Sequence, residues 1–362
     1  MTAPAPPRPR IDGAAPRTTT GRVRLLSLTM VAGPLLAMFL FLSLSVGNTT
    51  TSPPSPSGSG ISLTLVRNGL LTDEPFATAE PMRTFTDRFE LDPLAPRDGV
   101  VFAEVGDGGL DVGVHAHEGW EGYFAVTHDF YPASSVFHTD MEAIPVNAPD
   151  GGIGEAVFAV QTGSTKITSD VNFVTVNTYS RNGALKWQVG YSAGKYSDAQ
   201  RVSLAQLDHP PEQLVADHPV GVTLRTDGYR TLTVYLDDTQ VIDAADLELS
   251  MEPPFQPYLE VQAKDTAYTS RFTNFWVTAS DTIRIDGLPE GAEVRIGAAA
   301  QPIASGTADA EGTARLRLPL PQTHGTAALA IRLPRERDWR QVSDAFTYSG
   351  GDRYRASVEG SA

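Results

Sequence analysis

Cysteine is absent from all 362 residues, which excludes disulfides, thiolate zinc sites, Cys-x-x-Cys redox chemistry and thiol nucleophiles. Lysine is nearly as scarce. Only Lys166, Lys186, Lys195 and Lys264 stand among the 28 basic residues, a bias typical of a GC-rich bacterial genome. Charge of either sign is missing between Arg24 and Arg67. No amphipathic helix longer than two turns can be read from residue 61 to about 280, so strands must build the core there.

The first half of the charge-free gap, residues 25–46, is a run of 22 almost continuously apolar residues. A bilayer core about 30 Å thick needs roughly 20 in a helix, so the run reads as a transmembrane signal anchor. Arg8, Arg10, Arg17, Arg22 and Arg24 precede it against the single Asp12. By the positive-inside rule, this basic tail at 1–24 stays in the cytoplasm and the C-terminal domains face outward, giving a single-pass protein of the cell membrane. A cleavable signal peptide is the alternative, with Ser45 and Gly47 as small residues flanking a cut. Residues 47–60 mix Pro, Ser, Thr and Gly and read as a spacer.

The net charge of −15 is unevenly placed. Residues 25–281 hold 13 basic against 32 acidic side chains, whereas 282–362 hold ten of each. So acidic a middle segment repels phosphate backbones, and no nucleic-acid partner is expected.

From 61 to 281 two-fold alternation broken by turn dipeptides predicts an all-β domain on the scale of a two-sheet jelly-roll sandwich. Leu185, Trp187, Val189 and Tyr191 alternate after Asn182-Gly183, a hairpin turn with its partner strand at 171–179. A second hairpin joins 220–225 to 229–236 through Asp227-Gly228, and Asp237-Asp238 turns the chain again. Short helices are expected at 203–207 and 211–216. Residues 282–348 change register into short strands that suit a small Ig-like β-sandwich, and 349–362 read as a flexible tail.

Three stretches resemble the concanavalin A-like lectin/glucanase superfamily, in particular its LamG-like and 3-keto-glycoside-hydrolase-like jelly rolls. They are Phe85-Thr86-Asp87-Arg88-Phe89, the run from Val220 through Asp227-Gly228 to Asp237-Asp238, and Tyr258-Leu259-Glu260-Val261-Gln262 leading to Phe272-Thr273-Asn274-Phe275-Trp276-Val277. The resemblance implies a glycan or cell-envelope polysaccharide as partner. Its best-known retaining glucanases carry an E-x-D-x-x-E strand, which this chain lacks.

The densest polar constellation lies between Asp107 and Glu142 and holds four of the seven histidines. His115 and His117 share a strand face, as a zinc- or copper-chelating pair would, or as two exposed strand histidines would. Asp140 and Glu142 share a face about 6.5–7 Å apart, within the spacing of acid–base glycoside cleavage, and are the catalytic candidates if the chain is a hydrolase. Trp120 in Glu118-Gly119-Trp120-Glu121-Gly122 is the first candidate for stacking on a sugar ring, with Glu121, Tyr123 and Tyr131 beside it. Asp107-Gly108-Gly109-Leu110-Asp111 is a candidate calcium turn without a complete loop consensus; otherwise no cofactor is expected. The reading is a membrane-anchored bacterial surface protein that binds carbohydrate, with a glycoside hydrolase or a non-catalytic adhesion or scaffold domain as alternatives.

Overall fold

The computed structural model describes residues 60–74, 76, 100–117, 119–127, 129–142, 151–162, 173–193, 200–207, 219–245, 247, 249 and 251–359. All of them fall within the compact unit Thr51–Ala362. The basic tail, the apolar run 25–46 and the spacer up to residue 59 lie outside the described residues. Among the described residues no helix is long and apolar enough to cross a membrane.

The strands in chain order are β1 (Ile61–Arg67), β2 (Leu70–Glu74), β3 (Val100–Gly106), β4 (Gly109–His115), β5 (Trp120–Val126), β6 (Val136–Met141), β7 (Ile153–Thr162) and β8 (Phe173–Arg181). They continue with β9 (Ala184–Ala193), β10 (Gln200–Leu207), β11 (Val220–Thr226), β12 (Leu232–Leu236), β13 (Thr239–Ala244), β14 (Phe255–Lys264) and β15 (Ala267–Thr278). The last seven are β16 (Thr282–Asp286), β17 (Glu293–Gly297), β18 (Pro302–Thr307), β19 (Thr313–Arg317), β20 (His324–Arg332), β21 (Arg340–Ser349) and β22 (Arg353–Val358). One 3-10 turn, Leu320–Gln322, is the only helical element among the described residues.

Strands β2 to β15 make two antiparallel sheets. One has six strands in the order β10-β9-β8-β7-β14-β5; the other has eight, β13-β12-β11-β6-β15-β4-β3, with β2 also on β15. The inner faces close on each other: Phe158, Val176, Trp187 and Leu259 from the first sheet meet Phe137, Met141, Leu224 and Phe272 from the second in one buried cluster. Each such side chain contributes on the order of 1.5–3 kcal/mol of transfer free energy, so the core holds without disulfides. This is the jelly-roll sandwich that the alternation predicted. The Asn182-Gly183 hairpin joins β8 to β9 as expected, with both residues at positive φ.

Several boundaries differ from the sequence reading. β1 pairs antiparallel with β22 in a sheet ordered β1-β22-β16-β19, which stacks on β18-β17-β20-β21. Residues 61–67 thus belong to the small sandwich and not to the jelly roll, which is inserted between β1 and β16. The segment 349–362, expected to be a flexible tail, carries β22, whose Tyr354 and Ala356 join the small core with Ile61 and Ile285. Residues 203–207, expected as helix, lie in β10, paired with β9; 211–216 lie outside the described residues. β11 and β12 are joined by the five residues 227–231 rather than a two-residue turn. Asp227 Oδ1 accepts the backbone N–H groups of Tyr229, Arg230 and Thr231 at 2.8–2.9 Å, and Gly228 passes where a Cβ would stand 2.2 Å from the Met251 carbonyl.

Candidate functional site

The jelly roll has two outer faces, and polar residues decorate both. On the six-stranded sheet the register sets them in rows, because paired residues of an antiparallel ladder point to the same side. Gln262, Glu155, Tyr179 and Lys186 stand in line across β14, β7, β8 and β9, and Glu260, Val157, Asn177 and Gln188 form the next line. Trp120 pairs with Lys264 at the end of β5. These strands alternate with the apolar inner residues, so the same two-fold period that builds the core delivers the polar rows outward.

Burial is graded along this face. Trp120, Lys264, Gln262, Tyr179, Lys186 and Gln188 are half-buried, while Glu155 and Glu260 are only 7% and 3% exposed. Beyond them Tyr258 packs with Val157 and Ala159 as a small apolar patch. Deeper still, Gln161 Nε2 donates to Gln256 Oε1 at 3.1 Å, and Gln256 Nε2 donates to the Thr127 carbonyl at 2.6 Å. Glu155 and Glu260 are diagonal neighbours on adjacent strands, a relation that sets positions about 7–8 Å apart.

The eight-stranded sheet presents a different polar group on its outer face. His138 Nδ1 lies 2.8 Å from Thr223 Oγ1, and its Nε2 lies 3.0 Å from Asp140 Oδ1. Asn274, at φ 50° in a bulge of β15, donates its amide to Asp140 Oδ2 at 3.2 Å. Gly221 permits this closeness, since a Cβ there would stand 3.2 Å from both Asp140 and His138. The order Thr223, His138, Asp140 has the connectivity of nucleophile, base and orienting acid, yet Thr223 is fully buried and a substrate has no approach to it. The His138 ring is stacked 4.5 Å from Trp276, which in turn lies 6.0 Å from His324 of the small sandwich. Leu320 packs beside Val136 and Trp276. Nearby, Arg225 and Arg317 both donate to Asp281 Oδ2, at 2.6 and 3.0 Å. Burial alone would raise the Asp281 carboxyl, but the two guanidinium groups hold it below the ordinary range. This cluster joins two modules.

The residues singled out from sequence are therefore dispersed. Trp120, Glu121 and Tyr123 lie on β5 of the six-stranded sheet; Glu121 and Tyr123 sit opposite Ala263 and Val261, and their side chains are outside the described set. Tyr131 is a correction: it is 2% exposed, packs edge-on against Phe137 at 5.7 Å and bonds Thr72 Oγ1 at 2.7 Å. Burial pushes its phenol up to about 12. It is core, not a ligand-facing aromatic. Asp140 is held by His138 and Asn274 and stays partly exposed, and Glu142 follows the end of β6, where its N–H bonds the Arg271 carbonyl and its own carbonyl accepts Ser270 Oγ.

His115 and His117 do point the same way, with exposed rings 4.2 Å apart; no group of three ligating side chains gathers around them or elsewhere among the described residues. In the candidate calcium turn, Asp111 and the Asp107 carbonyl accept from a guanidinium. Arg271 donates to Asp111 Oδ2 at 2.8 Å and to the carbonyls of Gly106 and Asp107 at 2.8 and 2.9 Å. Sequence reasoning missed Glu155 and Glu260. The available signal was a carboxylate at an outward position of two strands that the register makes neighbours, and that register is invisible in a single sequence.

No protein-family model and no curated protein matches the chain. Among solved structures, it is similar to a Bacillus subtilis protein of unknown function with a galectin-like fold, at 11% identity and a TM-score of 0.40, over 60% of this chain and 98% of that one. It is also similar to the Emp46p carbohydrate recognition domain in a potassium-bound form (9% identity, TM-score 0.41, 62% of this chain and 98% of that one). A third is porphyranase B from Zobellia galactanivorans (9% identity, TM-score 0.36, 63% and 98%).

Proposed function

We propose that the jelly roll binds carbohydrate on the outer face of its six-stranded sheet, entering at Trp120 and reaching toward Glu155 and Glu260. The observation that carries this reading is the graded polar face itself. Here amide, carboxylate, phenol and ammonium groups stand in register across four strands. A sugar offers hydroxyls for such groups and a C–H face for an aromatic. The test is a glycan array probed with the 51–362 fragment, which forms one compact unit. Retention of a polysaccharide that falls about five- to tenfold in Trp120→Ala supports the reading; a blank array removes it.

A hydrolase is the second reading, favoured by the diagonal pair Glu155 and Glu260. Their strand positions are about 7–8 Å apart, a placement on one face compatible with the roughly 5–9.5 Å carboxyl separation of glycosidic cleavage. Reducing-end release from the retained glycan, abolished by Glu260→Gln while binding persists, is the expected signature.

The same proposal places the protein at the cell membrane, held by residues 25–46 with the arginine-bearing tail inside. Full-length protein in washed membranes supports this placement. Soluble protein beginning near Asn48 contradicts it.

A further inference from the structure

The small sandwich carries a cavity of about 400 Å³ on the outer face of its β18-β17-β20-β21 sheet. That volume lies within the range of small-molecule sites, about 300–1,000 Å³. Trp339, Arg295, Glu293, Ser305 and Thr307 are among the residues that line it. The Arg295 guanidinium sits 4.1 Å over the indole of Trp339, and that of Arg332 sits 5.1 Å from the same ring. Their charges are treated differently. Arg332 Nη2 donates to both oxygens of Glu293 at 2.6 Å, whereas Arg295 has no carboxylate partner among the described residues. Its cross-strand neighbours are Ser305 and Ala330, neither of which bears charge.

With Glu293 engaged by Arg332, an Arg295 held on an aromatic ring and without a carboxylate of its own among the described residues keeps its positive charge ready for an incoming anion. The indole and the hydroxyls of Ser305 and Thr307 add the apolar and hydrogen-bonding surfaces that a sugar ring uses. Long-range charge agrees. Residues 70–279 hold 12 basic and 31 acidic side chains, whereas 282–362 are balanced at ten of each, so an anionic ligand is repelled by the jelly roll and tolerated here. We propose that this cavity is a second binding site, separate from the jelly-roll face, and that it takes a carboxylate-bearing ring of an acidic oligosaccharide, the carboxylate on Arg295 and the ring against Trp339. The site stands whether or not the jelly-roll face binds sugar.

Calorimetric titration of the full-length protein in detergent with tri-galacturonate tests this. The expected result is saturable binding that weakens with added salt, disappears when the trimer is fully methyl-esterified, and falls about tenfold or more in Trp339→Ala. Ser305→Glu guards against a folding artefact. Residue 305 is exposed, and a carboxylate there would pair with Arg295 across the ladder, leaving the thermal midpoint unchanged or raised while binding is lost. Absence of heat with tri-galacturonate, equal affinity for its ester, or undiminished binding in Ser305→Glu overturns the proposal.

Discussion

The two outer faces of the jelly roll use similar residue types to opposite ends. On the eight-stranded sheet, His138, Asp140, Thr223 and Asn274 satisfy one another within 3.4 Å, and Trp276, stacked on His138, meets His324 of the small sandwich. On the six-stranded sheet, the polar groups are spread in rows with a half-buried entrance at Trp120. A polar cluster that closes on itself stabilises; one laid out in register offers a surface. Density of His, Asp and Glu along the sequence does not separate the two.

Mutation of each face should pull stability and binding apart. The largest effect is expected from His138→Ala, which strips the stack on Trp276 and leaves buried Thr223 without its imidazole partner. Unfolding in urea should show a loss of about 2–4 kcal/mol with glycan retention unchanged. Next, Glu155→Gln keeps shape but alters a carboxylate of the proposed binding face; titration of the retained glycan should weaken about tenfold while the protein stays folded. Asp140→Asn turns an acceptor of the Asn274 amide into a donor facing a donor. A loss of about 1–2 kcal/mol is expected, again without effect on binding.

The smallest effect is acidic. Burial would raise Asp227, but the N–H groups of Thr231, Arg230 and Tyr229 outweigh it and lower the carboxyl to about 2. In the small sandwich burial likewise opposes, and Arg284, Arg353 and Thr313 prevail in lowering Asp286 to about 2. Both groups bind protons less tightly folded than unfolded, so their stabilising share is complete above the ordinary carboxylate value and drains away as pH falls through about 2. Thermal midpoints should decline from about pH 4 to about pH 2, equally in the native protein and in Glu155→Gln, because neither acid lies on the six-stranded face.

Local pattern made the strands legible. Asn182-Gly183 announced its hairpin, and the alternation of Leu185, Trp187 and Val189 announced the buried side, since both signals act over a few residues. Long-range pairing escaped. Ile61 meets Val358 across almost the whole chain, and nothing near either residue marks the partner. Asp140 was a catalytic candidate because Glu142 shares its strand face; its bond to Asn274, and the Thr223 bond of its neighbour His138, come from distant strands that the sequence does not mark. Tyr131 was misread for a related reason: its ring is buried where an isolated bridge to Phe255 draws the chain inward. Trp120, expected in a loop between Gly119 and Glu121, opens β5, and Glu155 and Glu260 became a pair only once β7 and β14 were set side by side.

A crystal structure of the 51–362 fragment with its best array glycan bound tests the central claim most directly. Sugar density running from Trp120 across Tyr179 toward Glu155 and Glu260 is the predicted result. Density beside Asp140 and His138, with the six-stranded face bare, would contradict it.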